Sequence, residues 1–375
     1  MKMANKLLLM VGFALGLAAC GTEKSQSEEP QKAFIENSLD IIAYYSGSGA
    51  DIGNYPIEKL DQIIYSFLHL KGNELAVDNA EDSLSLLQIA ALKKEYPGLK
   101  VLVALGGWGG CETCSEIFST EENRKTFALS VISLLKKYNV DGLDLDWEYP
   151  AISGYPGHSY KPEDKQNFTA LVQELRSAMG NDYELSFAAG GSDRFLINSV
   201  EWDKVMPMFD RVNLMSYDLV GGFSGSTGHH TPLYSNPDQQ SSANDAIQFL
   251  DSIGVPMEKI VIGGAFYARM WENVANENNG LYQSGKFLKA ISYPELDDIL
   301  STSNDFTTFW DSTSMAPYAY SESLEQFATY DDPRSLAAKV QYVKEKKLGG
   351  IMFWELRNDK KQNGLLNAIY ESVNK

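Results

Sequence analysis

Hydrophobic positions along the chain form two alternating kinds of segment. Short runs rich in β-branched and aromatic residues lie at 41–45, 62–68, 100–106, 140–147, 184–189, 211–217, 259–267 and 349–354. Longer stretches with apolar positions at helical spacing lie between them, at 80–95, 121–138, 165–180, 242–254 and 333–347. The short runs are nearly continuously apolar, which is the pattern of parallel strands buried on both faces. Eight strands, most of them followed by a helical stretch, predict an α/β fold, a (β/α)8 TIM barrel. A doubly wound open sheet is the competing arrangement, but it usually has fewer strands and a nucleotide loop. Neither G-x-G-x-x-G nor G-x-x-x-x-G-K-[ST] follows any of the eight runs.

Two stretches break this rhythm. About sixty residues separate Trp271 from Pro333, too many for a simple loop in a compact domain. They carry their own hydrophobic pattern in FLKAISYPELDDIL and FTTFWDSTSMAPYAYSES. A small α+β insertion after strand seven is therefore expected at 272–332, within a domain spanning 39–375. The second exception is N-terminal. Lys2 and Lys6 precede an apolar run at 7–19 that is too short to cross ~30 Å of hydrocarbon as a helix. A basic start, a short apolar run and small residues at its end read as a secretory signal peptide over 1–19. Its end, Leu17-Ala18-Ala19-Cys20, resembles the lipobox of bacterial lipoproteins. That resemblance implies cleavage before Cys20 and acylation of the cysteine. The membrane would then be a partner through the lipid anchor, on the periplasmic side or the surface of a bacterial cell envelope. An ordinary signal peptide cleaved nearby is the alternative. Residues 20–38 are polar and read as the acylated cysteine and its tether.

Composition narrows the partners. Hydrophobic residues at 44% and charged residues at 22% describe an ordinary globular chain. The balance of 32 basic against 50 acidic residues gives a net charge of −18, which argues against nucleic acid or an anionic membrane surface as a ligand. A neutral glycan is not excluded, and 20 Tyr, 17 Phe and 6 Trp supply rings for sugar stacking as well as for a core. Cys111 and Cys114 form CETC, for which a local disulfide is favoured outside the cytoplasm. A zinc site would need two more ligands, and no second C-x-x-C or His-x₃-His is present. No metal, no cofactor and a monomeric state are expected.

The most informative run is Asp141-Gly142-Leu143-Asp144-Leu145-Asp146-Trp147-Glu148-Tyr149-Pro150. Side chains in a strand alternate faces, so Asp144, Asp146 and Glu148 share one face and Leu143, Leu145 and Trp147 the other. Asp141 has the opposite parity and is assigned a structural role. In a barrel the acidic face would climb to the C-terminal mouth, where active sites sit. Three acids in one enclosed row cannot all ionise cheaply, so at least one should stay protonated near neutral pH and be able to donate a proton. A calcium site or a salt-bridged structural cluster is the plainer reading, but Leu and Trp between the acids do not suit a calcium loop.

The run resembles the D-x-x-D-x-D-x-E motif of the family-18 glycoside hydrolases, the chitinases and their relatives. Other segments are similar to that family in the same order. Ala104-Leu105-Gly106-Gly107-Trp108 looks like S-x-G-G-W with Ala for Ser. Met215-Ser216-Tyr217-Asp218 looks like M-[ST]-Y-D, and Gly228-His229-His230-Thr231-Pro232-Leu233-Tyr234 like the loop after it. Gly264-Ala265-Phe266-Tyr267-Ala268-Arg269-Met270-Trp271 resembles G-x-P-F-Y-G-R-x-W, with Ala265 for Pro and Ala268 for Gly. Phe327-Ala328-Thr329-Tyr330-Asp331-Asp332-Pro333 resembles F-x-x-Y-D-D-P, and 349–355 the eighth strand. His229 and His230 read as loop structure rather than a metal pair.

The resemblance implies hydrolysis of β-1,4-linked N-acetylglucosamine polymers such as chitin, with retention and through an oxazolinium intermediate. It implies Glu148 as acid and then base, Asp146 as the partner of the acetamido N–H, Asp144 as its tuner and Tyr217 as a hydroxyl donor. Trp354 is implied as the floor of the cleavage subsite. Gly107, Trp108, Tyr149, Met215, Asp218, Tyr267 and Arg269 are implied as further substrate-binding residues. Two rivals stay open: an endo-β-N-acetylglucosaminidase acting on N-glycan cores, and a non-catalytic chitin-binding lectin.

Overall fold

The computed structural model describes residues 39–302 and 305–375; the expected signal peptide, Cys20 and the tether lie outside the described residues. The strands are β1 Asp40–Tyr45, β2 Gln62–Lys71, β3 Glu74–Ala76, β4 Lys100–Gly106, β5 Gly142–Asp146, β6 Glu184–Gly190 and β7 Arg211–Met215. They continue with β8 Ile260–Ala265, β9 Tyr267–Glu272, β10 Lys286–Ser292, β11 Thr307–Asp311, β12 Ala316–Ser321, β13 Gln326–Thr329 and β14 Gly350–Trp354. Eight of them, β1, β2, β4 to β8 and β14, pair in parallel, and β1 closes the ring by pairing with both β2 and β14. This is the (β/α)8 barrel that the eight apolar runs predict. The short β3 folds back on β2 as an antiparallel hairpin, turned at Gly72 with φ 65°.

Why the runs are apolar throughout is visible in how they divide. Ile42, Tyr44, Ile64, Leu102, Ala104, Val261 and Met352 point into the barrel and pack with one another. Their neighbours Ile41, Ala43, Ile63, Val101, Val103, Ile351 and Phe353 point outward into the larger core beneath the helices. Leu143, Leu145 and Trp147 belong to that outer core, and Trp147 continues the alternation although β5 ends at Asp146.

Four of the longer helices begin where side chains can satisfy their free N–H groups. Asn79 caps Ala80–Ala91, Thr120 caps Glu121–Tyr138 and Ser242 caps Ala243–Ser252. Asp332 and Ser335 form a reciprocal capping box at the start of Pro333–Lys346. Between β6 and β7 only two short helices occur, Asp193–Asn198 and Trp202–Val205, which is why the sequence has no long helical pattern there. Among the described residues no helix is long and apolar enough to cross a membrane.

The run at 259–267 is not one strand. It splits at Phe266, whose N–H bonds to the carbonyl of Trp354 at 2.9 Å and whose ring stacks on Phe353 at 4.0 Å. Before it lies β8 of the barrel; after it β9 opens a second, antiparallel sheet of order β10-β9-β13-β12-β11, with the helix Tyr293–Thr302 in the β10–β11 connection. Hydrophobicity does not change at a strand that changes partners, so the pattern ran through the break. The second sheet thus takes in β9, which begins at Tyr267 and ends at residue 272. Its return to the barrel is held by a buried pair, Lys339 Nζ to Asp331 Oδ2 at 2.6 Å, neither residue exposed. The same carboxylate accepts from Ala265 N at 2.9 Å and from the hydroxyl of Ser335 at 2.6 Å, so β8, the exit from β13 and the helix Pro333–Lys346 meet on one group.

Candidate active site

The site grows from the start of β5. Asp141 accepts from Val101 N at 2.8 Å and pairs with Lys93 at 2.7 Å, tying the lower ends of β4 and β5 together. Gly142 follows because a Cβ there would collide with the carbonyl of Glu184 on β6. Asp144 then points into the barrel and is completely buried. It accepts from Tyr44 at 2.8 Å, Ser186 at 2.5 Å and Asn213 at 3.0 Å, one donor each from β1, β6 and β7. Burial pushes its carboxyl up to about 6, although the three donors pull the other way.

Asp146 comes next on the same face and reaches a cleft of about 1190 Å³ at the C-terminal mouth. Its Oδ1 is buried with no hydrogen-bond partner among the described residues. Burial, then the charges of Glu148 and Asp144, push its carboxyl well above the usual range. Glu148 lies just past the strand end and also lines the cleft. Burial, with Asp218 as a second cause, pushes it up to about 8, so it carries a proton at neutral pH.

The remaining wall is aromatic and basic. Tyr217 sits above β7 with its ring against Gly263, and burial followed by the surrounding carboxylates keeps its phenol protonated. Asp218 adopts a left-handed backbone, φ 58°. Its carboxylate accepts from Tyr267 at 2.8 Å and from Arg269 Nη2 at 2.5 Å, and His230 Nδ1 lies 3.5 Å away. Burial would raise its carboxyl, but His230 and Arg269 outweigh it and hold Asp218 well below the ordinary range. Trp354 lines the cleft, stacked on Phe67 at 5.4 Å and tilted on Tyr44 at 5.9 Å. The next residue, Glu355, accepts from the N–H and hydroxyl of Ser46 at 2.8 and 2.9 Å, which anchors that end of β14.

Trp108, Tyr149, Met215, Asp218, Tyr267, Arg269 and Trp354 all line this cleft with Asp146, Glu148 and Tyr217. Asp144 and Gly107 are not among the lining residues. Asp144 lies beneath Asp146, inside the barrel. Gly107, at φ 80°, is a backbone requirement: a Cβ there would strike the ring of Phe67. The sequence reading missed Tyr44, Ser186 and Asn213, which hold Asp144, and Phe67, which supports Trp354. For Tyr44, Ser186 and Asn213 the signal was a lone hydroxyl or amide inside an apolar strand run; Phe67 carries no such mark. His229 and His230 are buried, and His229 pairs with Asp311 at 3.1 Å. Cys111 and Cys114 are joined by a disulfide. No group of three or more His, Cys, Asp or Glu side chains among the described residues is placed to hold a metal ion.

A barrel with this acidic strand has known counterparts. Residues 40–359 match the model of glycosyl hydrolases family 18. Chitinase A1 of Niallia circulans is 36% identical over 298 residues, 73% of this chain and 42% of that protein. The endochitinase of Manduca sexta is 32% identical over 85% of this chain and 63% of its own. This chain thus spans less than two thirds of either relative. The solved structure of a family-18 N-acetylglucosaminidase from Paenibacillus barengoltzii, 34% identical, superposes with a TM-score of 0.80 over 89% of this chain and 99% of that one. By the match over nearly the whole barrel, and by the row Asp144, Asp146, Glu148 rising to its mouth, the chain belongs to glycosyl hydrolases family 18.

Proposed function

We propose that the chain hydrolyses β-1,4-linked N-acetylglucosamine polymers, chitin and its oligosaccharides, with retention and with the substrate supplying the nucleophile. One observation carries the reading: Glu148 holds a proton in the cleft, with a raised carboxyl of about 8, beside Asp146. Glu148 donates that proton to the glycosidic oxygen as the bond to the anomeric carbon breaks. The carbonyl oxygen of the 2-acetamido group closes on the anomeric carbon, forming an oxazolinium ion. Asp146 accepts from the acetamido N–H and, with Asp144 behind it, offsets the developing positive charge. The Tyr217 hydroxyl donates to the acetamido oxygen. Water then opens the ring while Glu148, now a carboxylate, takes its proton back. A protein carboxylate nucleophile is the common alternative in retaining enzymes. Asp218 is poorly suited to it, because Arg269 and Tyr267 already occupy its oxygens.

The antiparallel sheet from β9 to β13 is read as the insertion that builds one wall of a groove for linear glycans. Envelope location through acylated Cys20 and a monomeric state belong to the same proposal, supported by the lipobox-like Leu17-Ala18-Ala19-Cys20. Loss of fatty-acid labelling in Cys20→Ser tests the anchor, and light scattering the monomer.

Products from chitohexaose and from an N-glycoprotein, identified side by side by mass spectrometry, test the activity. Short N-acetylglucosamine oligomers from chitohexaose are expected. Cleavage of the glycoprotein alone supports the endo-β-N-acetylglucosaminidase, and binding without cleavage of either supports the lectin.

A further inference from the structure

The loop after β4 reads Gly106-Gly107-Trp108-Gly109-Gly110-Cys111, one large ring between two pairs of glycines. Gly106, Gly107 and Gly109 stand at φ 109°, 80° and 86°, a region that glycine enters freely. Left to itself, such a backbone has more conformations available than any other and would let the ring wander. Trp108 gains little from the core: it is 52% exposed, and it meets Tyr149 at 5.9 Å and Tyr155 at 5.7 Å in edge-on contacts. Two backbone bonds close the turn, Gly107 N to Asp146 O at 3.0 Å and Gly110 N to Gly107 O at 2.9 Å.

The stronger restraint is at the end of the loop. Cys111 and Cys114 are both buried and bonded to each other, with Cα atoms 5.1 Å apart. Cys114 opens the short helix Cys114–Ile117, and Ser115 donates to buried Asp164 at 2.9 Å, at the head of the helix Asp164–Met179. On the other side, the sulfur of Cys111 lies 3.3 Å from where a Cβ on Gly106 would stand. The disulfide therefore joins the glycine-rich loop to a fixed point of the barrel's helical shell.

We propose that the Cys111–Cys114 disulfide is a positioning element for glycan binding: it holds the loop so that the Trp108 ring stands preformed at the cleft. The inference rests on reading Trp108 as a sugar-contacting residue of this hydrolase. Without the bond, the ring must be ordered at each binding event, which corresponds to a KM raised roughly three- to tenfold. The chemical step, carried by Glu148 and Asp146, is untouched.

The test uses the full chain with chitohexaose. Cys111→Ala with Cys114→Ala, Trp108→Ala and the triple variant are compared for KM and kcat. The cysteine pair should raise KM by that factor with kcat changed less than about twofold. The triple variant should match Trp108→Ala alone, because the bond acts through the ring. Unchanged KM in the cysteine pair while Trp108→Ala raises it overturns the proposal, as do additive effects in the triple. A silent Trp108→Ala instead defeats the reading of Trp108, and the proposal with it. Should the cysteine pair fail to fold, the folded wild type is reduced with dithiothreitol. Two electrons and two protons pass to the disulfide, giving two thiols and the cyclic oxidised dithiol. KM should rise on reduction and return on reoxidation; an unchanged KM in protein that mass spectrometry finds reduced overturns the proposal.

Discussion

The acid role proposed for Glu148 rests on its surroundings, which disfavour its charge. Burial disfavours the carboxylate, and the anion of Asp218 adds to that, bringing Glu148 to about 8. Replacing it by Gln keeps the shape and removes the proton: hydrolysis of chitohexaose should fall by ~10²–10⁴-fold while calorimetry still detects binding. The pH profile follows from the same group. The donor is present below about 8 and is lost as pH rises through it, so kcat/KM should fall on that limb. On the acid side Asp144, at about 6, takes up a proton, and the negative charge it places beneath Asp146 disappears. A bell is expected. Asp218→Asn removes a like charge and leaves Arg269 unmatched, and both changes favour ionised Glu148. Its alkaline limb should therefore move to lower pH; an unmoved limb contradicts the assigned coupling.

Between residues and the whole lies the junction of the two sheets. Asp331 collects Lys339, Ala265 N and Ser335, and the ion pair is fully buried. Lys339→Met leaves Asp331 with an unmatched charge in the interior, which should cost about 3–5 kcal/mol in urea unfolding, whereas Lys339→Met with Asp331→Leu should recover much of it. This junction was hard to read from sequence. Asp331 and Lys339 sit eight residues apart on an ordinary capped helix and its lead-in, and the partner Ala265 is sixty-six residues away. The barrel strands were legible because both faces are buried and the apolar runs are unbroken. The row Asp144, Asp146, Glu148 was legible by parity alone, and parity held even past the end of β5. What supports the row was not: Tyr44, Ser186 and Asn213 are single polar residues on three separate strands. Each alone reads as an ordinary core residue, and only closing the barrel brings them to Asp144. Trp354 was readable as a residue of the cleft, but its support by Phe67 depends on β2, β1 and β14 lying side by side.

For the molecule as a whole, the site is a source of instability. Glu148 has a folded value of about 8 against an ordinary 4.5, so folding favours its protonated form. That contribution is fully present below 4.5 and is lost as pH rises through about 8. Glu148→Gln does not titrate, so its melting temperature should exceed the wild type's by more at pH 9 than at pH 5. Equal differences at the two pH values contradict the burial assigned to the site. Such a variant would be more stable and inactive, the usual exchange at a catalytic centre. The central claim is that the glycan, not the protein, supplies the nucleophile, and it is tested most directly on the intact chain with modified substrates. Rates are measured for a chromogenic chitobioside and for analogues whose 2-acetamido methyl carries one, two and three fluorines. Each fluorine makes the carbonyl oxygen a poorer nucleophile while leaving the glycosidic bond in place. Substrate assistance predicts a steep, stepwise fall in kcat/KM along the series; a flat series would contradict it and return the role to a carboxylate of the protein.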